Sequence, residues 1–277
     1  MIAAMAGHEP ALRFGHTRLA RALGPGDAAL YGLVDGYLGE YCAAHGLGPA
    51  EAAARYMAFA ARYQDDLRRF AATGRYPAEA GAPDPGFDRA TYDVFLLASV
   101  LATGHRFRLM AEVARLCAGA GGERLVFGAG SGLELLLPAP GGAPVTAWDR
   151  ELAPFVRGRF PQVAVRNDDL LAPGGGGVRG RFGCVLAVEV LEHFAQPDAA
   201  LAALAGALAP GGLLVATTAR NVPQFDHLWN FTDPAAFEVR ARELGLAVEG
   251  RTVVPHDYRL LRVDADNVVY ALRRAGE

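Results

Sequence analysis

From Arg124 onward the chain alternates short apolar runs with helix-like segments, and a distinctive polar or glycine group closes four of those runs. Run 124–128 leads into Gly128-Ala129-Gly130-Ser131-Gly132. Run 145–149 ends in Asp149, and run 163–167 is followed by Asp168 and Asp169. Run 182–190 carries Glu189 within Ala187-Val188-Glu189-Val190-Leu191-Glu192-His193-Phe194. A fifth run spans 212–217, and helix-like patterns occupy 151–160, 198–208 and 234–244. Such alternation predicts a parallel sheet covered by helices. The carboxyl ends of its strands are where open α/β sheets bind ligands.

Segments 246–254 and 263–272 read as two strands with no helix between them, an antiparallel pair ending the sheet. Before Gly121-Gly122 the periodicity is helical. Leu30, Val34, Tyr37, Tyr41 and His45 share one face, and Tyr56, Phe59, Tyr63, Leu67 and Phe70 another. Gly74 and Pro77 end the second of these helices, residues 80–87 read as a loop, and helix returns over 91–118 with a break at Gly104. The expected domains are a helical one at 1–118 and an α/β one at 119–277. Seven of the nine tyrosines fall in the first 92 residues. They suit either a small helical core or a lid with rings over a substrate.

The 277 residues allow a sizeable core, and a net charge of −3 without a basic stripe argues against nucleic acid as a partner. The longest apolar run, 94–102, is too short for a bilayer span. Cys42, Cys117 and Cys184 are widely spaced in apolar stretches, which predicts buried free thiols and a reducing cytoplasm. No signal peptide is expected.

The glycine turn admits two adenosine cofactors. A dinucleotide site requires G-x-G-x-x-G; here Leu133 holds the last place and the third glycine, Gly132, comes one residue early. The order and spacing of the four groups instead resemble class I S-adenosylmethionine-dependent methyltransferases over residues 110–277, of the small-molecule type. His227-Leu228-Trp229-Asn230-Phe231-Thr232 resembles the same family.

The resemblance implies a Rossmann-like methyltransferase fold, with a mostly parallel seven-stranded sheet and an antiparallel last strand; the N-terminal helical lid is expected from the tyrosine-bearing helices, which the resemblance does not cover. It implies a cofactor site of Gly128, Ala129, Gly130, Asp149, Arg150, Asp169, Leu170 and Glu189. Asp149 would bind the ribose hydroxyls, and Asp169 with the backbone of Leu170 the adenine amine. S-adenosylmethionine is then the methyl donor and S-adenosylhomocysteine the product. One departure stands out: the family carries an acid two residues before the first glycine, near the methionine ammonium, where this chain has Val126. Glu134, expected just inside the next helix, is a candidate substitute.

Glu189, Glu192 and His193 can in principle ligate a divalent cation, with His227 as a fourth ligand, as in some related O-methyltransferases. Many relatives with this segment are metal-free, and no metal is expected here. His193 and His227 are the candidate catalytic residues, as base or acceptor contacts. His105, Arg106, Arg108 and the His256-Asp257-Tyr258 turn are secondary candidates. The expected activity is cytoplasmic methylation of a small organic acceptor in bacterial specialised (natural-product) biosynthesis, with oxygen slightly preferred. The alternatives are a cyclisation or rearrangement without methyl transfer, a metal-dependent O-methyltransferase, and a binding protein with a decayed site. A homodimer is compatible with the sequence.

Overall fold

The computed structural model describes residues 1–79, 84–169, 171, 178–256 and 263–276. The chain divides into two compact units. Among the described residues, the first comprises 1–79, 84–111, 223–225 and 256, and the second the remainder.

The first unit is helical: α1 (Ile2–His8), α2 (Pro10–Ala22), α3 (Asp27–Ala44), α4 (Pro49–Thr73), α5 (Arg89–Ala102) and the start of α6 (Gly104–Cys117). Local signals explain the boundaries. Gly74 caps α4 in the left-handed region, at φ 68°. Asp88 caps α5 by accepting the Thr91 N–H at 2.7 Å. The break between α5 and α6 falls at Thr103, where the axis turns by 89°. No single described helix is long and apolar enough to cross a membrane, although α5 and α6 taken together have the length and composition.

Tyr37, Tyr41, Tyr56 and Tyr76 are buried, so most of the tyrosine-rich pattern builds the helical core. Tyr41 donates to the buried Asp93 at 3.0 Å, and Phe59 stacks on Phe95 with ring centroids 4.0 Å apart. Helices α1 and α2 lie ahead of any periodicity read from the sequence.

The second unit holds one seven-stranded sheet: β1 (Arg124–Phe127), β2 (Val145–Trp148), β3 (Ala164–Arg166), β4 (Phe182–Ala187), β5 (Leu208–Arg220), β6 (Leu246–Pro255) and β7 (Asp266–Arg274). Their order is β3-β2-β1-β4-β5-β7-β6. β7 runs antiparallel to both neighbours, and the other described pairings are parallel. Helices α7 (Pro154–Arg159), α8 (Pro197–Ala207) and α9 (Pro234–Glu243) follow β2, β4 and β5. Trp148, Phe182, Leu204, Phe237 and Tyr270 anchor one core cluster. Arg124, 1% exposed, ties the start of β1 to the Leu137 and Cys117 carbonyls at 2.9 and 3.2 Å.

The unit boundary falls inside α6, ahead of residue 118. Glu112, on the second half of that helix, accepts the Thr252 hydroxyl of β6 at 2.8 Å. A long-range contact of this kind leaves no local composition signal.

One expectation fails. The turn after β1 does not open an α-helix: it leads into single 3₁₀ turns at Glu134–Leu136 and Pro140–Gly142. Pro138 and Pro140 remove amide donors and obstruct the preceding turn, so no α-helix can propagate there. Glu134 therefore sits in a 3₁₀ turn rather than in a helix.

Candidate active site

The register brings the ends of β1, β2 and β4 level, with Phe127 opposite both Trp148 and Ala187. The groups predicted from sequence follow directly. Gly128 (φ 71°) and Gly130 (φ 40°) occupy the left-handed region that glycine tolerates best. A Cβ on Gly128 would lie 2.6 Å from Val190 Cγ2, so the turn closes against the segment after β4. Ala129 is buried.

The Asp149 carboxylate, half-buried beyond β2, accepts the Gly130 N–H at 2.8 Å and the Glu151 N–H at 3.0 Å. Each carboxylate oxygen keeps a lone pair for a further donor. Arg150 is exposed. Asp169 is exposed, and its Oδ1 accepts the Leu171 N–H at 2.9 Å. Leu170, like Asp257 and Tyr258, lies outside the described residues. The preceding turn is fastened by Trp148, whose Nε1 donates to the Asp168 carbonyl at 2.7 Å while Arg166 lies 4.4 Å over its ring.

These features fit an adenosine cofactor. The glycines leave a cradle that a side chain would fill, and an acid stands beside it. They fit a dinucleotide poorly, because a pyrophosphate is ordinarily received by the N-terminus of the helix after the first strand. That position here holds only a 3₁₀ turn.

Glu189 lies just beyond β4 and has a left-handed backbone, φ 50°. Its N–H donates to Thr217 Oγ1 at 2.7 Å, the Thr217 hydroxyl returns to Oε1 at 3.2 Å, and Asn267 Nδ2 donates to the same oxygen at 2.7 Å. Thr217 and Asn267 were not singled out from sequence. The available signal was a polar residue ending the run 212–217 and another just ahead of the apolar stretch 268–272 of the last strand. Val126 is buried within β1, 1% exposed.

His193 and His227 meet edge to face with ring centroids 4.9 Å apart. His193 Nδ1 lies 3.0 Å from the Asp226 carbonyl oxygen, and His227 Nδ1 lies 2.8 Å from that of Val222. A carbonyl only accepts, so in its neutral form each ring carries the proton on Nδ1, and Nε2 is the unprotonated nitrogen.

Glu192 is fully buried, and its own carbonyl accepts the Leu228 and Trp229 N–H groups at 2.8 and 3.0 Å. That pins the segment bearing His227 to the one bearing His193. One ligand atom each from Glu192, His193 and His227 falls within 4.8 Å of the others. The sequence offered Glu189, Glu192 and His193 as ligands with His227 as a fourth. The cluster among the described residues keeps Glu192, His193 and His227, whereas Glu189 is tied to Thr217 and Asn267.

His105 and His256 belong to the helical unit and stack with centroids 3.9 Å apart. Burial, then the charges of His256, Arg106 and Arg108, lower the His105 pKa well below the usual histidine value.

A family model described as a methyltransferase domain matches residues 102–250. No curated protein sequence matches the chain. Among solved structures, the chain is similar to the mitomycin 7-O-methyltransferase MmcR, with a TM-score of 0.53, 16% identity, and 82% of this chain and 73% of that one covered. It is similar to the [4+2]-cyclase SpnF at a TM-score of 0.50 and 15% identity, covering 61% and 82% of the two chains. The YcgJ protein of Bacillus subtilis gives 0.50 at 9% identity, covering 62% and 100%. These likenesses establish the fold; the family match spans more than half of the chain. With the strand order, the glycine cradle and the strand-end acids, it identifies the chain as a member of the methyltransferase-domain family, a class I S-adenosylmethionine-dependent methyltransferase.

Proposed function

We propose that this enzyme methylates a small organic acceptor, by preference at oxygen, in bacterial specialised (natural-product) biosynthesis in the cytoplasm. The carrying observation is the pair His193 and His227, two neighbouring imidazoles with Nδ1 engaged by carbonyls. A hydroxyl or phenol acceptor must lose a proton as it attacks, and Nε2 of either ring suits that task. The bound cofactor supplies an activated methyl on a sulfonium. Gly128, Ala129, Gly130, Asp149, Arg150, Asp169 and Leu170 orient it, with Glu189 toward the methyl-donor end. Alignment and exclusion of water then account for much of the rate. The buried free thiols of Cys42, Cys117 and Cys184 suit a reducing compartment.

The helical unit, bounded at 118 by its sequence periodicity and inside α6 by its packing, is assigned to a lid that carries acceptor specificity, ahead of the cofactor-binding unit that the sequence places at 119–277. The supporting feature is the rich set of aromatic rings on the helices. A second reading, cyclisation or rearrangement on the same scaffold, draws on Val126 in place of the usual acid and on the cyclase among the fold relatives. Incubation with candidate phenols and isotopically labelled S-adenosylmethionine separates the two. Mass spectrometry should find one labelled methyl on the acceptor and one equivalent of S-adenosylhomocysteine. An isomerised product without label would establish the second reading.

A further inference from the structure

Val126 removes the acid that would receive the cofactor's ammonium, yet a carboxylate is built into the same sheet edge. The strand order places β3, β2, β1, β4 and β5 side by side. Asp169 and Asp149 follow β3 and β2, and the glycine turn follows β1. An adenosine with its base beside Asp169 and its ribose beside Asp149 would, by that strand order, run its 5′ end across β1 toward β4, the strand that Glu189 follows. That end bears the sulfur and the amino-acid chain.

The setting of Glu189 is costly to build. A left-handed backbone at a residue other than glycine persists only where its surroundings over-determine it. Here Thr217 holds both the amide and the carboxylate, and Asn267 holds the carboxylate again. Both partners are fully buried, Asn267 at 0% and Thr217 at 0% exposure. Buried polar side chains in apolar strands destabilise unless they are hydrogen-bonded, and the bonds made here aim one carboxylate.

We infer that Glu189, positioned by Thr217 and Asn267, receives the ammonium group of S-adenosylmethionine in place of the acid missing at Val126. The inference rests on the cofactor site described above and adds the group that recognises the amino-acid end.

Calorimetric titration with two ligands tests it. S-adenosylhomocysteine carries the ammonium; 5′-methylthioadenosine has the same nucleoside and thioether but no amino-acid chain. Glu189→Gln preserves size and should weaken S-adenosylhomocysteine roughly tenfold to a hundredfold, leaving 5′-methylthioadenosine unchanged. Asn267→Ala should move the first ligand in the same direction and spare the second. Equal losses for both ligands would mean a merely structural role and overturn the inference. So would unchanged binding, or tighter S-adenosylhomocysteine binding by Glu189→Gln, which would place the cofactor's carboxylate there. If the unsubstituted protein binds neither ligand, the cofactor site itself is refuted and this assignment with it.

Discussion

The Asp149 carboxylate bridges two strand ends: rooted just beyond β2, its Oδ2 accepts the Gly130 N–H of the turn after β1 at 2.8 Å. One side chain thus shapes the glycine cradle and keeps capacity for the ribose hydroxyls. Asp149→Ala should reduce affinity for S-adenosylhomocysteine by about tenfold to a hundredfold, the equivalent of about 1.5–3 kcal/mol for bonds to a charged acceptor. The ligand-induced rise in Tm should shrink in parallel, because a ligand that binds only the native state stabilises it by mass action. An unchanged Kd in a folded variant would refute the assignment.

Gly128→Ala combines two faults. The backbone is left-handed at φ 71°, and the new Cβ meets Val190 Cγ2 at 2.6 Å. The backbone part alone costs about 1–2 kcal/mol. Adding Val190→Ala should remove the Cγ2 contact while leaving the residue-190 Cβ 3.1 Å away and the backbone part, so chemical denaturation should show partial rescue. Full rescue would show that the positive φ carries no cost.

His193→Ala should lower turnover about 10²–10⁴-fold, the range for loss of a general base, while S-adenosylhomocysteine affinity barely moves. A chelator should leave the rate of the unsubstituted enzyme unchanged. The opposite result, chelator-sensitive turnover with a divalent ion on Glu192, His193 and His227, would replace the base with metal activation of the acceptor. Full activity in His193→Ala would remove both roles.

The helical unit carries an acid sensitivity. Burial holds the folded-state pKa of His105 well below its unfolded value of about 6.5. Below pH 6.5 the unfolded chain takes up a proton that the folded chain resists. The stability this neutral histidine leaves intact is therefore fully present above about pH 6.5 and declines as the pH falls toward the folded pKa. Thermal unfolding of His105→Gln between pH 8 and 5 should show a shallower fall in Tm than the unsubstituted protein. Parallel curves would refute the assignment.

Much of the α/β part was legible in the sequence because its signals are local. A strand end followed by glycines, or an apolar run closed by an acid, lies within a few residues, and the order of such runs implies a parallel sheet. Asp149, Glu189 and the two histidines could be named this way. The failed helix after β1 was also local, written in Pro138 and Pro140 but outweighed by the expected pattern.

By itself the sequence determined the alternation, the groups at the strand ends and the glycines where side chains cannot sit. Tertiary structure decided which of those groups meet. Asn267 reaches Glu189 across 78 residues and Thr217 across 28, and of the four candidate ligands Glu192, His193 and His227 cluster while Glu189 stays outside. Such pairings follow from strand order and register, which bring together residues whose separation along the chain carries no periodic signal. Buried hydrogen bonds then select the partner, because a polar group inside the sheet destabilises the fold unless another residue answers it.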